Sequence, residues 1–362
     1  MNPTGREAPD RFSFEDRLLR RGSFFKMICG AGNEDPVEVY KLSLVYTLAG
    51  AAGLDVSANV DVVAAASAAV EHAVQLAGER GLSGVIRPFV TVSVGMPGDP
   101  HVRKARILKG PCTECNACIP VCPADAIPAS LEIIQTRCIG CGACGVACQD
   151  DAIGYSHNTI EVGQVLRACL AAGAENIELH AAIADHDASL KEWESITHLL
   201  TDGFVSVCLD RGYLSNHDLR RRIEMMLDHA PGRMIVQADG IPMSGGQDDF
   251  NTTLQAVATA DIVRKMRLPV HILLSGGTNA KTIALARACG VEYAGVSIGT
   301  FARHLVYDII NDPAFPNDDL LDRAVARARR LIATCEPIEP DARPEPPMEG
   351  DSSHLAADSV QA

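Results

Sequence analysis

The sequence predicts an α/β protein: a TIM-like (β/α)8 barrel with an inserted ferredoxin-type domain after its third strand. Three observations predict this fold. Eight short apolar runs suit strands, Ala-rich amphipathic stretches follow nearly all of them, and one cysteine-rich segment interrupts the alternation. An open, doubly wound α/β sheet is the alternative, because a count that is wrong by one or two strands would change the architecture.

The alternation of strands and helices runs through most of the chain. Strands are predicted over residues 24–29, 54–57, 89–94, 176–180, 204–209, 234–238, 271–275 and 293–298. Helices are predicted over about 36–50, 61–80, 161–173, 188–201, 216–229, 251–266, 278–290 and 317–333, with glycine at several of their ends. Eight strand–helix units of this length are typical of a barrel once the cysteine segment is subtracted.

Two cysteine runs of one design lie between the third strand and its helix. Each has the spacing C-x-x-C-x-x-C-x-x-x-C, the first from Cys112 to Cys122 and the second from Cys138 to Cys148. In bacterial two-cluster ferredoxins the fourth cysteine of each run ligates the other cluster. The spacing therefore predicts two 4Fe-4S clusters. Cluster 1 is predicted on Cys112, Cys115, Cys118 and Cys148, and cluster 2 on Cys122, Cys138, Cys141 and Cys144.

Zinc is the alternative metal for paired C-x-x-C units. A tetrahedral zinc site, however, has no use for the third cysteine and the C-x-x-x-C end of each run. Disulfides are disfavoured because cysteines three apart cannot all meet bridge geometry. The five remaining cysteines are scattered singly and are expected to be small buried hydrophobic residues: Cys29, Cys169, Cys208, Cys289 and Cys335.

Composition narrows the class of partner. The 362-residue chain has a net charge of -14 and only 4% aromatic residues. This charge argues against nucleic acid or anionic lipid as a partner, and few aromatic rings are present to stack on single-stranded bases. No apolar run approaches the length of a transmembrane helix. Residues 20–26 resemble a twin-arginine export signal only faintly, so the chain is expected to be cytoplasmic.

The domain boundaries follow from composition and from the cysteine segment. Residues 1–22 are predicted to form a charged, disordered arm and residues 336–362 a disordered acidic tail, because neither can bury enough apolar surface. Residues 23–99 are predicted to form the first part of the barrel, 100–157 the ferredoxin-like insert and 158–335 the remainder of the barrel. Because βα connections lie on the functional face of a barrel, the insert is expected beside the barrel mouth.

Glycine-rich turns after the last two strands predict a phosphate-like site. Gly276 and Gly277 follow strand seven, and Gly299, Thr300 and Arg303 follow strand eight. Glycines there let backbone amides approach an anion at a helix start, which is the usual phosphate site of barrels. The alternative is that these glycines only turn the chain and cap a helix.

Polar side chains on the strands predict a polar mouth. Glu178 and His180 share one strand face, and so do Gln237 and Asp239. If these faces pointed outward, the polar side chains would be buried under the barrel helices without partners, which is costly. Further candidates are Asp210, Cys29, Asp55 and residues 244–246. The catalytic candidates are Lys26, His180 and Asp239. Ordinary alternatives are a helix cap for an aspartate at a strand end and a core position for Cys29.

Six phrases carry a resemblance to a known family. FFKMICGAG, LSLVYTLAGAAGLDVSAN, HVRKA, ADGIPMSGG, LLSGGTN and AGVSIGTFAR resemble the light-dependent period (LdpA) family, over about residues 24–335. The resemblance implies a two-cluster iron–sulfur protein that reports cellular redox state and, in cyanobacteria, adjusts the circadian clock to light.

Two classes of function are open at this point. In the first, the chain is a redox sensor or electron-transfer protein, and the barrel docks a redox partner protein or a quinone-like molecule. In the second, it is an oxidoreductase. The insert then supplies electrons to FMN held by Gly276, Gly277, Gly299 and Thr300, above a substrate that faces Lys26, His180 and Asp239.

Overall fold

Ten strands and eleven helices build the part of the chain described by this computed structural model, residues 10–157, 161–241 and 250–336. The strands are β1 Phe24–Gly30, β2 Gly53–Ser57, β3 Phe89–Gly95, β4 Arg103–Ile107, β5 Ile153–His157, β6 Asn176–His180, β7 Val205–Asp210, β8 Met234–Asp239, β9 His271–Ser275 and β10 Gly295–Ile298. The helices are α1 Arg11–Arg20, α2 Pro36–Ala49, α3 Val60–Glu79, α4 Ala143–Ala147, α5 Val162–Ala171, α6 His186–Leu199, α7 Asn216–Leu227, α8 Phe250–Lys265, α9 Thr282–Ala288, α10 Thr300–Ile310 and α11 Asp318–Ala333. Residues 337–362 of the predicted tail lie outside the described residues.

Eight of the strands close into a barrel in the order β1-β10-β9-β8-β7-β6-β3-β2. Every neighbouring pair is parallel, including β3 with β6, which are joined in sequence only through the insert. The predicted TIM-like barrel is therefore confirmed. The open-sheet alternative is wrong, because hydrogen bonds between β1 and β10 close the ring.

Local sequence signals fix where the barrel helices begin and end. Asp35 caps α2 by accepting from the amides of Val37 and Glu38, and Pro36 occupies the first turn, where its missing N–H does no harm. The helix ends at Gly50, whose φ of 97° is a left-handed conformation that glycine adopts without strain. These caps position the loops that follow the strands.

Helix α1 closes the N-terminal end of the barrel. Leu19 is buried among the aromatic residues at the strand starts, and the ring of Phe12 stacks on Phe204 with centroids 4.7 Å apart. Arg11 pairs with Glu175 at 2.7 Å. The predicted disorder of residues 1–22 is therefore wrong for residues 10–22, because the few apolar side chains of this segment find a complete apolar surface in the barrel floor.

The insert leaves the C-terminal end of β3 and returns to the barrel at α5 and β6. Strands β4 and β5, which the sequence did not predict, pair antiparallel at its base, from Arg103 opposite His157 to Ile107 opposite Ile153. The insert packs on the β1–α2 loop, where Glu34 N donates to Thr136 O at 2.7 Å. It therefore lies on the functional face of the barrel.

One described helix, α3, is long and apolar enough by length and composition to cross a membrane. It belongs to the ring of barrel helices, packs against α2 and buries one face of its valines and alanines. No clear transmembrane span is therefore present in the described part of the chain.

Candidate functional site

The eight cysteines of the two runs separate into two groups of four, each lining its own cavity in the insert. One cavity, with an empty volume of about 320 Å³, is lined by Cys112, Cys115, Cys118 and Cys148. The other, of about 330 Å³, is lined by Cys122, Cys138, Cys141 and Cys144. These groups have the crossed membership that the ferredoxin spacing predicts.

Backbone amides in the insert point at cysteine sulfurs. Ala126 N donates to Cys122 Sγ and Ala152 N donates to Cys148 Sγ, each at 3.3 Å and each from four residues further along the chain. Ala105 N on β4 donates to Cys138 Sγ at the same distance. Amide hydrogen bonds of this kind stabilise thiolates and tune the reduction potential of a bound cluster. The residues of both cavities therefore fit 4Fe-4S ligation.

Two cations of β4 support the second cysteine cavity. Lys104 Nζ is buried and donates to the carbonyl oxygens of Gly32, Gln135 and Cys138, at 2.6 to 3.0 Å. The Arg103 guanidinium lies over the Tyr155 ring, and the Tyr155 hydroxyl is 3.9 Å from Cys144 Sγ. The cysteine loop of this cavity is therefore tied to both the barrel and the β4–β5 hairpin.

An open cavity of about 790 Å³ occupies the C-terminal mouth of the barrel. Its lining includes eight residues predicted from the sequence: Glu178, His180, Asp239, Gly276, Gly277, Gly299, Thr300 and Arg303. Cys29 also lines it, whereas Lys26 lies deeper and Asp210 lies outside the lining. Residues 244–246 fall outside the described residues.

The insert contributes one wall of this mouth. Pro123, which follows Cys122, and Ile139, which follows Cys138, both line the barrel cavity. Ile139 also lines the cavity of the second cysteine group. The two cavities therefore adjoin, with one isoleucine side chain between them.

Beneath the mouth, Lys26 of β1 is held between two carboxylates. Its Nζ donates to Asp55 Oδ2 at 3.0 Å and to Glu178 Oε2 at 2.5 Å, and all three side chains are buried. Burial opposes the charge on Lys26, but the two carboxylates raise its pKa above the usual range. Burial raises the pKa of Glu178, but the charge of Lys26 and the other groups around the carboxylate together lower it by a larger amount. The net shift of the Glu178 pKa is therefore downward. Lys26 is therefore an ion-pair partner with no free amine for nucleophilic attack.

Two buried polar atoms at the mouth have no partner in the described structure: His180 Nδ1 and Asp239 Oδ2. Burial, together with the nearby charge of His101, lowers the pKa of His180 to about 4. Burial raises the pKa of Asp239 to about 6. Unpartnered buried polar atoms are rare in proteins and are typical of sites that contact a ligand.

His101 and Asp99 were not predicted as site residues. The His101 ring stacks at 4.4 Å from that of His180, and its Nδ1 is 2.8 Å from Asp99 Oδ1. Although burial disfavours the charged ring, Asp99 raises the pKa of His101 to about 9. Two sequence signals could have found them: both lie in the loop that follows a barrel strand, where functional residues concentrate, and His101 begins the HVRKA phrase of the family resemblance.

The glycine turns at the mouth have the geometry of an anion site. Gly276 and Gly277 have φ of 68° and 76°, and a Cβ on Gly276 would lie 2.7 Å from Gly240 N. Helix α10 begins at Gly299 with no side-chain cap. Arg303 lies at the same end, donates to Cys29 O and is 3.7 Å from Glu38. The uncapped helix start and the guanidinium leave donors available to an anionic group.

Comparison with known proteins gives two family matches. The family described as Light dependent period A C-terminal domain matches residues 169–334, and the family described as 4Fe-4S binding domain matches residues 131–154. Among solved structures, the YdjI aldolase from Escherichia coli aligns with a TM-score of 0.43 and 10% identity, over 89% of this chain and 93% of that chain. A dihydrodipicolinate synthase family protein from Coccidioides immitis aligns with a TM-score of 0.41 and 11% identity, over 86% and 78%.

A full-length relative matches nearly the whole chain. The chain is 31% identical over 335 residues to Light dependent period A of Synechococcus elongatus, which covers 88% of this chain and 93% of the relative. The 4Fe-4S match over the second cysteine run makes it an iron–sulfur protein. By this identity and coverage, the chain belongs to the light-dependent period A family.

Proposed function

We propose that this protein is a two-cluster redox protein that senses redox state or transfers electrons. Cluster 1 is held by Cys112, Cys115, Cys118 and Cys148, and cluster 2 by Cys122, Cys138, Cys141 and Cys144. A bound 4Fe-4S cluster takes up and releases one electron at a time. The observation that carries the proposal is the separation of the eight thiols into two four-cysteine cavities with crossed membership.

The arrangement of the two cavities supports a path for electrons between the protein surface and the barrel mouth. Cys115 of the first group is exposed, whereas Cys138 and Cys144 of the second group are buried. The second cavity meets the barrel mouth at Ile139. Electrons from a redox partner protein or a quinone-like molecule enter at the exposed group and reach the mouth through the buried one.

Crossed ligation gives the sharpest test of this proposal. Cys148→Ala changes the second run but removes a ligand of cluster 1, so its remaining electron paramagnetic resonance signal is expected to match that of Cys115→Ala. Cys122→Ala is expected to match Cys141→Ala in the same way. Each variant retains about four of about eight iron atoms per chain. Cys169→Ala, a buried cysteine outside both groups, is the control with both signals intact.

A different pairing of signals would contradict the proposal. If Cys148→Ala matches Cys141→Ala, each run binds its own cluster and the crossed assignment is wrong. If all four variants lose all iron together, two separable clusters are not present.

A second candidate function is a ferredoxin-fed oxidoreductase with a phosphate-containing cofactor such as FMN, or a small anionic substrate, at the barrel mouth. The glycine turns, the uncapped start of α10 and Arg303 favour it, because together they offer donors to one anionic group. His180 and Asp239 face the same cavity and would contact the reacting end of the ligand.

Replacing one glycine separates this candidate from the first. Gly277→Val is expected to abolish retention of FMN or inorganic phosphate while the iron content stays unchanged, because a side chain would fill the anion cradle. Gly290→Val is the matched control, since Gly290 also has a positive φ and no neighbour within 4 Å of an added Cβ. If the wild-type protein binds neither FMN nor phosphate, the enzyme candidate is dropped and the redox-protein proposal remains.

A further inference from the structure

Three potential metal ligands converge on one spot at the barrel mouth. They belong to Glu178 and His180 on β6 and to Cys208 on β7, and one ligand atom from each residue lies within 4.8 Å of the other two. Glu178 Oε1 is 3.7 Å from His180 Nε2 and 3.2 Å from Cys208 Sγ. All three residues are buried and line the open cavity. Separations of this size are those of atoms that share one metal ion at bond lengths of about 2.0 to 2.3 Å.

The surroundings of Glu178 leave one of its oxygens available. Oε2 accepts from Lys26 Nζ, Ser206 Oγ and Gln237 Nε2 at 2.5 to 2.6 Å, which fixes the carboxylate. Oε1 accepts only from the Cys208 thiol among the described residues. Hydrogen bonds to the far oxygen are the kind of outer support that orients metal ligands.

His180 supplies an independent observation. Its side chain is only 8% exposed, and its Nδ1 has no hydrogen-bond partner within the described residues. The 3.7 Å from Nε2 to Glu178 is too long for a hydrogen bond, so Nε2 is available to a metal ion. A buried ring nitrogen without a partner is costly unless a ligand satisfies it, so the unpartnered Nδ1 also indicates a ligand in this cavity.

Buried charge around this spot also favours a cation. Five buried carboxylates lie at the mouth and its floor: Asp55, Asp99, Glu178, Asp210 and Asp239. The cations that face them are the buried Lys26 and Arg303 and the charged His101, and Arg303 also faces Glu38. The buried carboxylates therefore outnumber the cations.

We propose that the barrel mouth binds one zinc-type divalent ion through Glu178, His180 and Cys208. Thiolate, imidazole and carboxylate are the ligands that Zn²⁺ prefers, and metal binding would displace the thiol proton that Cys208 donates to Glu178. Three protein ligands leave a fourth position open, as in catalytic zinc sites. That position faces the cavity of about 790 Å³, where an oxygen atom of an anionic ligand can complete the shell. This site does not depend on the function proposed above.

Zinc binding to the anaerobic, cluster-loaded protein tests this proposal. The protein is freed of loose metal with a chelator and titrated with ZnCl2, while zinc and iron are counted together. We expect one zinc per chain with no loss of iron. The zinc X-ray absorption spectrum is expected to show one sulfur at about 2.3 Å and nitrogen or oxygen at about 2.0 to 2.1 Å.

Two variants and one control locate the ion. Cys208→Ala and His180→Asn are each expected to weaken zinc binding at least tenfold at unchanged iron content. Cys29→Ala is the matched control, because Cys29 is equally buried and lines the same cavity on β1, away from the three ligands. If Cys208→Ala loses iron or unfolds, His180→Asn decides the question.

Three results would overturn the assignment. The first is that the wild-type protein binds no zinc at micromolar concentration. The second is that the zinc is bound by four sulfurs while iron is lost, and the third is that both ligand variants bind zinc as the wild type does. A four-sulfur shell would show that zinc had replaced iron at the cysteine runs.

Discussion

At the scale of single residues, Lys104 joins the two parts of the molecule. Its ammonium group is buried and ties carbonyl oxygens of the β1–α2 loop and the second cysteine run, with Glu34 at 3.0 Å as its counter-ion. Cys138, whose carbonyl Lys104 contacts, lines the cluster 2 cavity. A fixed positive charge next to a cluster ligand stabilises the more negative, reduced form of a bound cluster.

Removing this charge is expected to make cluster 2 harder to reduce. We expect Lys104→Met to lower the midpoint potential of cluster 2 by about 50 mV, close to a tenfold change in its reduction equilibrium. A redox titration followed by electron paramagnetic resonance measures it. Lys109→Met is the control, because Lys109 is exposed in the same insert. An unchanged or higher potential in Lys104→Met would rule out the electrostatic role.

Residue type alone predicted part of the site. The lining positions of Gly276, Gly277 and Arg303 followed from glycine turns after the last strands, because turn chemistry is local. The partners of Lys26 could not be predicted, since Asp55 and Glu178 are 29 and 152 residues away along the chain. Only the closed barrel brings these three side chains together.

At the scale of secondary-structure elements, the barrel strands were predictable, whereas helices α1, α4 and α10 and strands β4 and β5 were not. Strands β6 and β9 were predicted at their observed bounds: β9 has a continuous apolar run, and β6 alternates apolar with polar residues. Helix α1 and the β4–β5 pair are polar and gain their order from packing on the barrel and on the cysteine loops. Helix α10 was missed because its start looks like a glycine turn.

Helix α1 carries a buried acid under the barrel. Glu15 is buried and accepts from Asn176 Nδ2 at 2.6 Å. Burial raises the pKa of Glu15 to about 8. The folded protein therefore binds this proton more tightly than the unfolded chain does, and the stabilisation is lost as pH rises from about 4.5 to about 8.

Replacing this acid by its neutral analogue is expected to remove that pH dependence. Gln keeps the acceptor for Asn176 and carries no charge. We expect Glu15→Gln to raise Tm by about 5 °C at pH 8.5 and by much less at pH 5.5. Thermal unfolding at both pH values measures this, with Glu71→Gln, an exposed helix position, as control. Equal shifts at the two pH values would contradict the role of burial.

The two halves of the insert differ in exposure. The cluster 1 group contains the exposed Cys115, and its second-run member Cys148 is followed by Gln149 where the first run has Pro123. The cluster 2 group contains the buried Cys138 and Cys144 and is covered on one side by the barrel. Oxygen and water therefore reach cluster 1 more easily.

Air exposure is expected to destroy cluster 1 first. Cys122→Ala, which retains only cluster 1, is expected to lose its visible absorbance in air several times faster than Cys115→Ala, which retains only cluster 2. The decay half-lives of the two variants give the comparison. Slower decay of Cys122→Ala would show that thiol exposure does not control oxygen attack.

At the scale of the whole molecule, a rigid barrel and a cysteine-rich insert share one functional face. The insert leaves the barrel at the end of β3 and returns through β5, so its cysteine cavities are held beside the mouth by the barrel's own connections. Ile139 and Pro123 complete the wall of the mouth. The chain therefore places a four-cysteine cavity and the barrel cavity side by side.

Each chain is expected to hold two 4Fe-4S clusters on crossed ligand sets. Native mass spectrometry of the anaerobic protein tests this expectation, because the method measures the mass of the intact chain together with its bound clusters. We expect the wild-type mass to exceed that of the polypeptide by two 4Fe-4S clusters, and the masses of Cys148→Ala and Cys122→Ala to exceed it by one. A wild-type protein that carries a single cluster, or a Cys148→Ala protein that still carries two, would contradict this expectation.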